Sequence, residues 1–435
     1  MSDAWIASGL SPMAAKLEGS SILVIAGQVR ALVDSGRKIC NLTIGDFNPT
    51  EFPIPDVLRD AIKAALDGGQ TNYPPSNGLP ALREAVSRLY KAKLGIDVDP
   101  AYVTVCSGAR PLLYSCFRAV IAPGDKVVYA APSWNNNHYA SMLDATVVQL
   151  KVGPEDNFFP RIEQFAPHLR DARLFVLNSP LNPSGTLIRP DVLRELCDAI
   201  VTENERRKAA NERPLFLLYD QIYWMLNLGD VAHADPVGID PRMKDYAIYV
   251  DGISKAFAAT GLRIGFGIAP PPVSQAMNRI LGHVGAWAPR PGQIGTIALL
   301  NNFEAMDSYL VWIRDQARQR LAMIHDKMTA LGADYPVRAL EPEGAIYLSV
   351  ELRLAGYETD GDGDGAGRVR LETSDDVRQY LLDAAGVAVV PFGAFGADHA
   401  PDWYRLSVGA VSVAELGAAL DRIEVAVRAL RPVAG

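Results

Sequence analysis

Between residues 50 and 310 the sequence alternates two kinds of segment, and this alternation constrains the fold more than any other feature. Short runs such as "DKVVYAAP" (125–132), "ATVVQLKV" (145–152), "ARLFVLNSP" (172–180) and "PLFLLYD" (214–220) are apolar at successive positions. Around them lie amphipathic patterns: "DVLRDAIKAALDGG" (56–69), "LPALREAVSRLYKAKLG" (79–95) and "RPDVLRELCDAIVTENERRKAANE" (189–212). Strands that are apolar on both faces need cover on both, and helical crossovers supply it. The region therefore reads as α/β, with a mostly parallel sheet between helices. From 309 to 332 a long helical pattern leads out. The remainder, with "GAIYLSVEL", "VAVVPFG", "YRLSVGA" and a closing helix, reads as a smaller α+β domain. A chain of 435 residues is expected to form more than one domain. The division expected is an N-terminal segment, 1–49, packing with a small domain, 311–435, and a large domain, 50–310.

Composition narrows the partners. A net charge of −8 disfavours nucleic acid or an anionic membrane, both of which attract basic surfaces. Cys40, Cys106, Cys116 and Cys197 are scattered without a CxxC pair, which fits reduced core cysteines better than disulfides or zinc. The first residues, "MSDAWIASGLSPMAAKLEG", lack a basic stretch followed by an apolar one. No apolar run is long enough to span a bilayer, so a cytoplasmic location is expected. In "DGDGDGAG" (360–367), Asp360, Asp362, Asp364 and Gly365 match the opening of a calcium loop, but its last ligand position is Leu371. A surface loop without metal is expected there.

In a parallel sheet ligands gather at the carboxyl ends of the strands, and four of those ends carry distinctive polar groups. After the strand near Val105 comes "SGAR", Ser107, Gly108, Ala109 and Arg110, opening a helix whose first N–H groups suit an anion. "LNSPLNPSGT" places Asn182 in a proline-bracketed turn, and "YDQIYW" places Asp220 and Tyr223 at the mouth of the sheet. "GISKAFAATGLRIGFG" sets Ser254, Lys255 and Arg263 on a turn between two strands. Trp134 follows another strand. Taken singly each has a structural use: Asp220 as a helix cap, Asn182 in shaping a turn, Trp134 in the core, Arg405 in a surface ion pair. Together they suit one ligand. A phosphate would meet Ser107, Gly108, Ala109, Ser254 and Arg263, and an aldehyde would meet Lys255. A pyridine ring would stack on Trp134, face Asp220 through its nitrogen, and set its phenolic oxygen near Asn182 and Tyr223. That ligand is pyridoxal 5′-phosphate.

The motifs "SKAFAATGLRIGF", "NSPLNPSGT", "YDQIYW", "YPPSNGLPALREAV" and "YRLSVG" resemble the fold-type I aminotransferases of class I/II, over nearly the whole chain. The resemblance implies a large domain with a mostly parallel seven-stranded sheet. It implies Lys255 as the Schiff-base lysine and general base, and Asp220 as partner of the pyridine nitrogen. Asn182 and Tyr223 would then contact the phenolic oxygen, Ser254 and Arg263 the phosphate, and Arg405 the substrate α-carboxylate. Gly45 falls where backbone meets that carboxylate. Tyr73 matches a tyrosine reaching the other subunit's cofactor, which implies a homodimer. Glutamate commonly follows the aspartate in this family; here it is Gln221, a change expected to leave the ring contact unaltered. Asn137 and His138, in an asparagine-rich stretch, are candidate substrate contacts.

Transaminases, carbon–sulfur lyases and synthases share this scaffold, as do cofactor-binding effector domains. A DNA-binding regulator is disfavoured, because only about 40 residues precede "IGDFNP" and they contain no basic helix-turn-helix pattern. The expectation is transamination from an L-amino acid to a 2-oxo acid, with aspartate and 2-oxoglutarate first and an aromatic or broad specificity second. A dicarboxylate needs a second cation, for which Arg290, from the neighbouring subunit, is the candidate and His283 the weaker one.

Overall fold

The computed structural model describes residues 3–229, 231–359 and 368–433, so the stretch 360–367 lies outside the described residues. The large sheet has seven strands: β1 (Val103–Cys106), β2 (Lys126–Ala131), β3 (Thr146–Lys151), β4 (Ala172–Asn178), β5 (Phe216–Asp220), β6 (Ala247–Gly252) and β7 (Gly265–Ile268). Their spatial order is β1-β7-β6-β5-β4-β2-β3. Strands β2 to β6 pair in parallel, and β7 runs antiparallel to both of its neighbours.

Side-chain alternation explains why these strands are apolar throughout. Leu174, Val176, Leu218 and Ile248 pack under helices Ala109–Val120 and Pro271–Val284. Phe175, Leu177, Leu217 and Tyr249 enter the opposite core, with Leu82, Leu89, Leu193 and Ile200 of helices Pro80–Leu94 and Pro190–Ala209. Both faces are buried, as the unbroken apolar runs require. All four cysteines are free and buried in these cores.

Helix Phe303–Leu331 spans the boundary expected near 310 and leads to a second, antiparallel sheet. That sheet comprises β8 (Val337–Ala339), β9 (Tyr347–Leu352), β10 (Val390–Pro391) and β11 (Trp403–Ser407), in the order β10-β11-β9-β8. The N-terminal segment is stitched to this region. Cys40–Asn41 pairs in parallel with Val387–Ala388, and the Ser407 amide donates to Leu42. Residues 42–48 thereby run along the seam facing the carboxyl ends of β4, β5 and β6. Among the described residues, no helix is long and apolar enough to cross a membrane, and no cluster of His, Cys, Asp or Glu could hold a metal.

Candidate active site

Register brings the polar strand ends together. Asn178 at the end of β4 pairs with Asp220 at the end of β5, and Asp220 with Val250 of β6. Two residues past β6 the chain turns, presenting Ser254 and Lys255. These ends open into a cavity of about 350 Å³, lined among others by Arg110, Trp134, Asn182, Asp220, Tyr223, Lys255, Arg263 and Arg405. That volume suits a small ligand, for which sites of roughly 300–1,000 Å³ are usual.

Lys255 donates its Nζ to the Gly45 carbonyl at 2.5 Å and lies 5.8 Å from the centre of the Tyr223 ring. Asp220 accepts the Ile222 amide at 3.1 Å on Oδ1. Burial pushes its carboxyl up to about 6, with the Ile222 amide and the Lys255 ammonium pulling the other way. An apolar wall disfavours a lone carboxylate; a cation at its free oxygen would restore the charge. Tyr223 shares a 2.6 Å hydrogen bond with the hydroxyl of Tyr347, and burial holds its phenol well above the usual range.

Arg405 is buried on β11. It donates to Asn182 Oδ1 at 2.9 Å and to the Thr43 carbonyl, and its guanidinium lies over the Tyr347 and Phe395 rings at 4.6 and 4.9 Å. Among the described residues, its buried Nε has no partner. A buried donor left unpaired is costly, so this atom points to an acceptor the ligand would bring.

A second cation stands at the other end of the cavity. Arg263, at φ 57°, donates to the carbonyls of Thr260 and Ser107 at 2.8 and 3.2 Å. Gly108, at φ 94°, precedes helix Ala109–Val120, and a Cβ there would sit 2.2 Å from Arg263 Nη2. A Cβ on Gly265 would come within 2.4 Å of the Gly108 carbonyl carbon. Two glycines thus clear a cradle at a helix N-terminus beside an arginine, the chemistry an anion such as phosphate requires.

The structure also separates some expected residues from the cavity. Arg290 donates to Gln70 Oε1 at 3.0 Å and does not line this chain's cavity. His283 and Asn137 are exposed, and His138 is half-buried on a short helix outside the lining. Tyr73 is 80% exposed, with its ring against Trp287 at 5.0 Å. Trp134 does line the cavity, but the Arg110 guanidinium covers its ring at 4.3 Å.

Four residues at the site escaped the sequence pattern. Asn178 donates to the Asp220 carbonyl and accepts the Asn182 amide, each at 2.8 Å. Its place at a strand end, inside a motif already singled out, was the available signal. Thr260 lies on the motif turn between Lys255 and Arg263, while Tyr347 and Thr43 reach the cavity through tertiary packing and carry no local mark.

A lysine facing a carboxylate, with an anion cradle on one side and a buried arginine on the other, is the arrangement of enzymes that hold a carbonyl cofactor on a lysine. The family described as aminotransferase class I and II matches residues 37–423, and the chain belongs to it. It is a fold-type I aminotransferase dependent on pyridoxal 5′-phosphate. An aspartate aminotransferase of Geobacillus stearothermophilus is 29% identical over 416 residues, covering 95% of this chain and 98% of that protein. An aspartate/prephenate aminotransferase of Thermus thermophilus is 30% identical over 397 residues, covering 89% and 92%. Among solved structures, the aspartate aminotransferase from Thermus thermophilus with maleate superposes with a TM-score of 0.82 at 28% identity, covering 96% of this chain and 99% of that one. The enzyme from Rhizobium meliloti gives 0.85 at 25% identity, covering 97% and 99%.

Proposed function

We propose that this aminotransferase takes its amino group from aspartate and delivers it to 2-oxoglutarate. The observation that carries this reading is that two arginines besides the phosphate-cradle Arg263, namely Arg405 and Arg110, line the cavity that holds Lys255 and Asp220. A dicarboxylate offers each of them a carboxylate. Arg405 would take the α-carboxylate through its planar fork and its unpartnered Nε. Arg110 would take the distal one, with Arg290 of a second copy completing the site as expected from the sequence.

The fit of the cofactor follows from the same residues. The Gly108 cradle, Ser254 and Arg263 would hold its phosphate, Lys255 its aldehyde carbon, Asp220 its ring nitrogen, and Asn182 and Tyr223 its phenolic oxygen. When bound, the cofactor supplies an electron sink that makes the α-proton of an amino acid acidic. The chain's own residues do the remainder. Asp220 keeps a proton on the facing nitrogen by standing ionised against it. Lys255 Nζ, released from the Gly45 carbonyl, is the amine positioned to take and return the α-proton. Arg405 and Asn182, joined to each other, fix the carboxylate and so the orientation of the bond that breaks.

We further propose that the enzyme is a cytoplasmic homodimer divided at about residues 49 and 310. The exposed Tyr73 ring and the exposed Trp5, Ile6 and Leu10 support a subunit contact. A second reading, broader specificity, has its own support. Ile22, Leu23, Ala26 and Ile44 line the same cavity, and a relative is named for prephenate as well as aspartate.

The test is the visible spectrum of the purified holoenzyme with aspartate, glutamate, phenylalanine, alanine or cysteine added singly. Fast bleaching by aspartate, reversed by 2-oxoglutarate, supports the reading. Equal bleaching by phenylalanine moves it to the broad form. Release of sulfide and a 2-oxo acid from cysteine indicates lyase chemistry instead. Arg110→Ala is expected to slow aspartate more than phenylalanine; if neither it nor Arg290→Ala does so, there is no second cation.

A further inference from the structure

Behind the cavity wall runs a chain of buried polar groups that the chemistry above does not use. Asp251 is 1% exposed at the end of β6. Its Oδ2 accepts the Tyr90 hydroxyl at 3.0 Å and the Trp224 indole N–H at 2.8 Å, and its Oδ1 accepts the Gly252 amide at 2.7 Å. Gln221 donates its Nε2 to Tyr90 Oη at 3.0 Å, and its Oε1 lies 3.3 Å from His233 Nε2. No lysine or arginine is paired with Asp251 among the described residues.

The direction of these bonds is fixed by chemistry. The Gln221 amide N–H can only donate, so Tyr90 Oη accepts there and sends its own proton to Asp251. The Gln221 carbonyl oxygen can only accept, so His233 carries its proton on Nε2. Its buried Nδ1 has no partner among the described residues. Every donor in the chain therefore points towards one carboxylate. These donors pull the carboxyl down, but burial outweighs them and leaves Asp251 raised to about 7. The other titratable groups facing it are distant or neutral. His233 is held down to about 4 by burial, Tyr249 stands edge-on to Tyr90, and Asp235 is occupied by the Tyr249 hydroxyl and the Gly238 amide.

What Asp251 joins gives it a task. Gln221 and Trp224 bracket the turn that carries Tyr223, directly after Asp220, and the Gln221 amide is bonded to the Val250 carbonyl of β6. Asp251 itself precedes the turn that carries Ser254 and Lys255. One carboxylate thus braces both turns from below, with Tyr90 of helix Pro80–Leu94 as the third leg.

We propose that Asp251 is a positioning residue of the aminotransferase, a buried carboxyl acceptor that fixes Tyr223 and Asp220 on one turn against Lys255 on the next through Trp224, Tyr90 and Gln221. The proposal rests on the cofactor reading of Lys255 given above. The experiment measures the pH titration of the visible band of the holoenzyme, together with kcat and KM for the amino donor. It is carried out on the wild type, Asp251→Asn, Tyr90→Phe and Trp224→Phe. Asparagine keeps the shape but places an N–H where the Gly252 amide needs an acceptor. For Asp251→Asn the titration midpoint is expected to move by about half a pH unit or more, and kcat to fall about tenfold with KM within about twofold. Tyr90→Phe and Trp224→Phe shift both in the same direction by less, and they carry the test if Asp251→Asn does not fold. A wild-type titration and kcat in the folded variants, whatever happens to their melting temperature, would reduce Asp251 to a structural role and overturn the proposal. A wild type with no visible band, or a Lys255→Ala protein that keeps one, would instead overturn the cofactor reading and the proposal with it.

Discussion

The two ends of the cavity are built differently. The inner end is made of strand termini and the turns after them: Asn178, Asp220, Ser254, Lys255 and Arg263, held by parallel register and by hydrogen bonds of 2.5 to 3.2 Å. The outer end is made by the N-terminal segment, where Ile22 and Ala26 of helix Ser21–Asp34 are half-buried and Leu23 is 61% exposed. The inner end is where charge must be placed to within fractions of an ångström, and the sheet can do that. The outer end would meet an apolar substrate side chain, and a helix with one buried residue, Val29, can adapt to it. On the reading proposed above, the sorting of apolar side chains is separable from the chemistry in this molecule, and each can be attacked alone.

The largest effect belongs to the inner end. Lys255→Ala removes the amine that would move the α-proton, and turnover of every amino acid is expected to fall by about 10⁴-fold. Steady-state assays across aspartate, alanine and phenylalanine check it; a loss confined to one of them would mean that the two ends are not separable. Next is Arg405→Lys, which keeps the charge but gives up the fork to Asn182 and Thr43 and the stacking on Tyr347. Its kcat/KM should drop about 100-fold for all donors alike, since all carry the α-carboxylate.

A smaller effect is read as stability. The Asp220 carboxyl is raised from 3.8 to about 6 in the folded chain. The folded state thus holds a proton that the unfolded state has lost between those values, and stability contributed by the protonated form is lost as pH rises through this window. The penalty reaches about 3 kcal/mol above pH 6. The melting temperature of the cofactor-free protein should fall from pH 4.5 to 7, and Asp220→Asn should flatten that fall. Added cofactor should stabilise the wild type more at pH 7 than at pH 4.5, because its ring cation relieves a charge that exists only at the higher pH.

The same division marks what could be read from the sequence. The inner end was legible because its residues sit at the ends of apolar runs, in short motifs where local spacing carries the information. Arg110 and Trp134 were both singled out, but for separate tasks. That a guanidinium and an indole meet at 4.3 Å is a fact of two loops brought together by the sheet. Tyr347 and Thr43 enter from the second sheet and from the chain before the first helices of the large sheet, and nothing in "GAIYLSVEL" or "NLTIGDF" says which tyrosine or threonine faces the cavity. Gln221, a departure from the family that seemed neutral, is a link between Tyr90 and His233. Helix Ser21–Asp34 gave no clear stripe, because only one of its residues is fully buried and its apolar positions are shared between the core, the cavity and solvent.

The smallest effect, at the outer end, is the sharpest test of separability. Ile22 touches the cavity with a branched apolar side chain that is already half-buried, so Ile22→Ala removes part of a contact and no hydrogen bond. An apolar surface discriminates weakly, by about 1 kcal/mol for a partial burial of this size, or about fivefold. That loss should appear in kcat/KM for phenylalanine and be absent for aspartate, whose distal carboxylate would face Arg110 instead. The lysine-bound visible band and its pH titration should be untouched, since no inner residue contacts Ile22 through a polar bond. If aspartate and phenylalanine lost equally, the helix would be holding the cavity's shape and not sorting side chains. If phenylalanine gained, the wild-type helix would be excluding it, and the dicarboxylate reading would be strengthened from the opposite side.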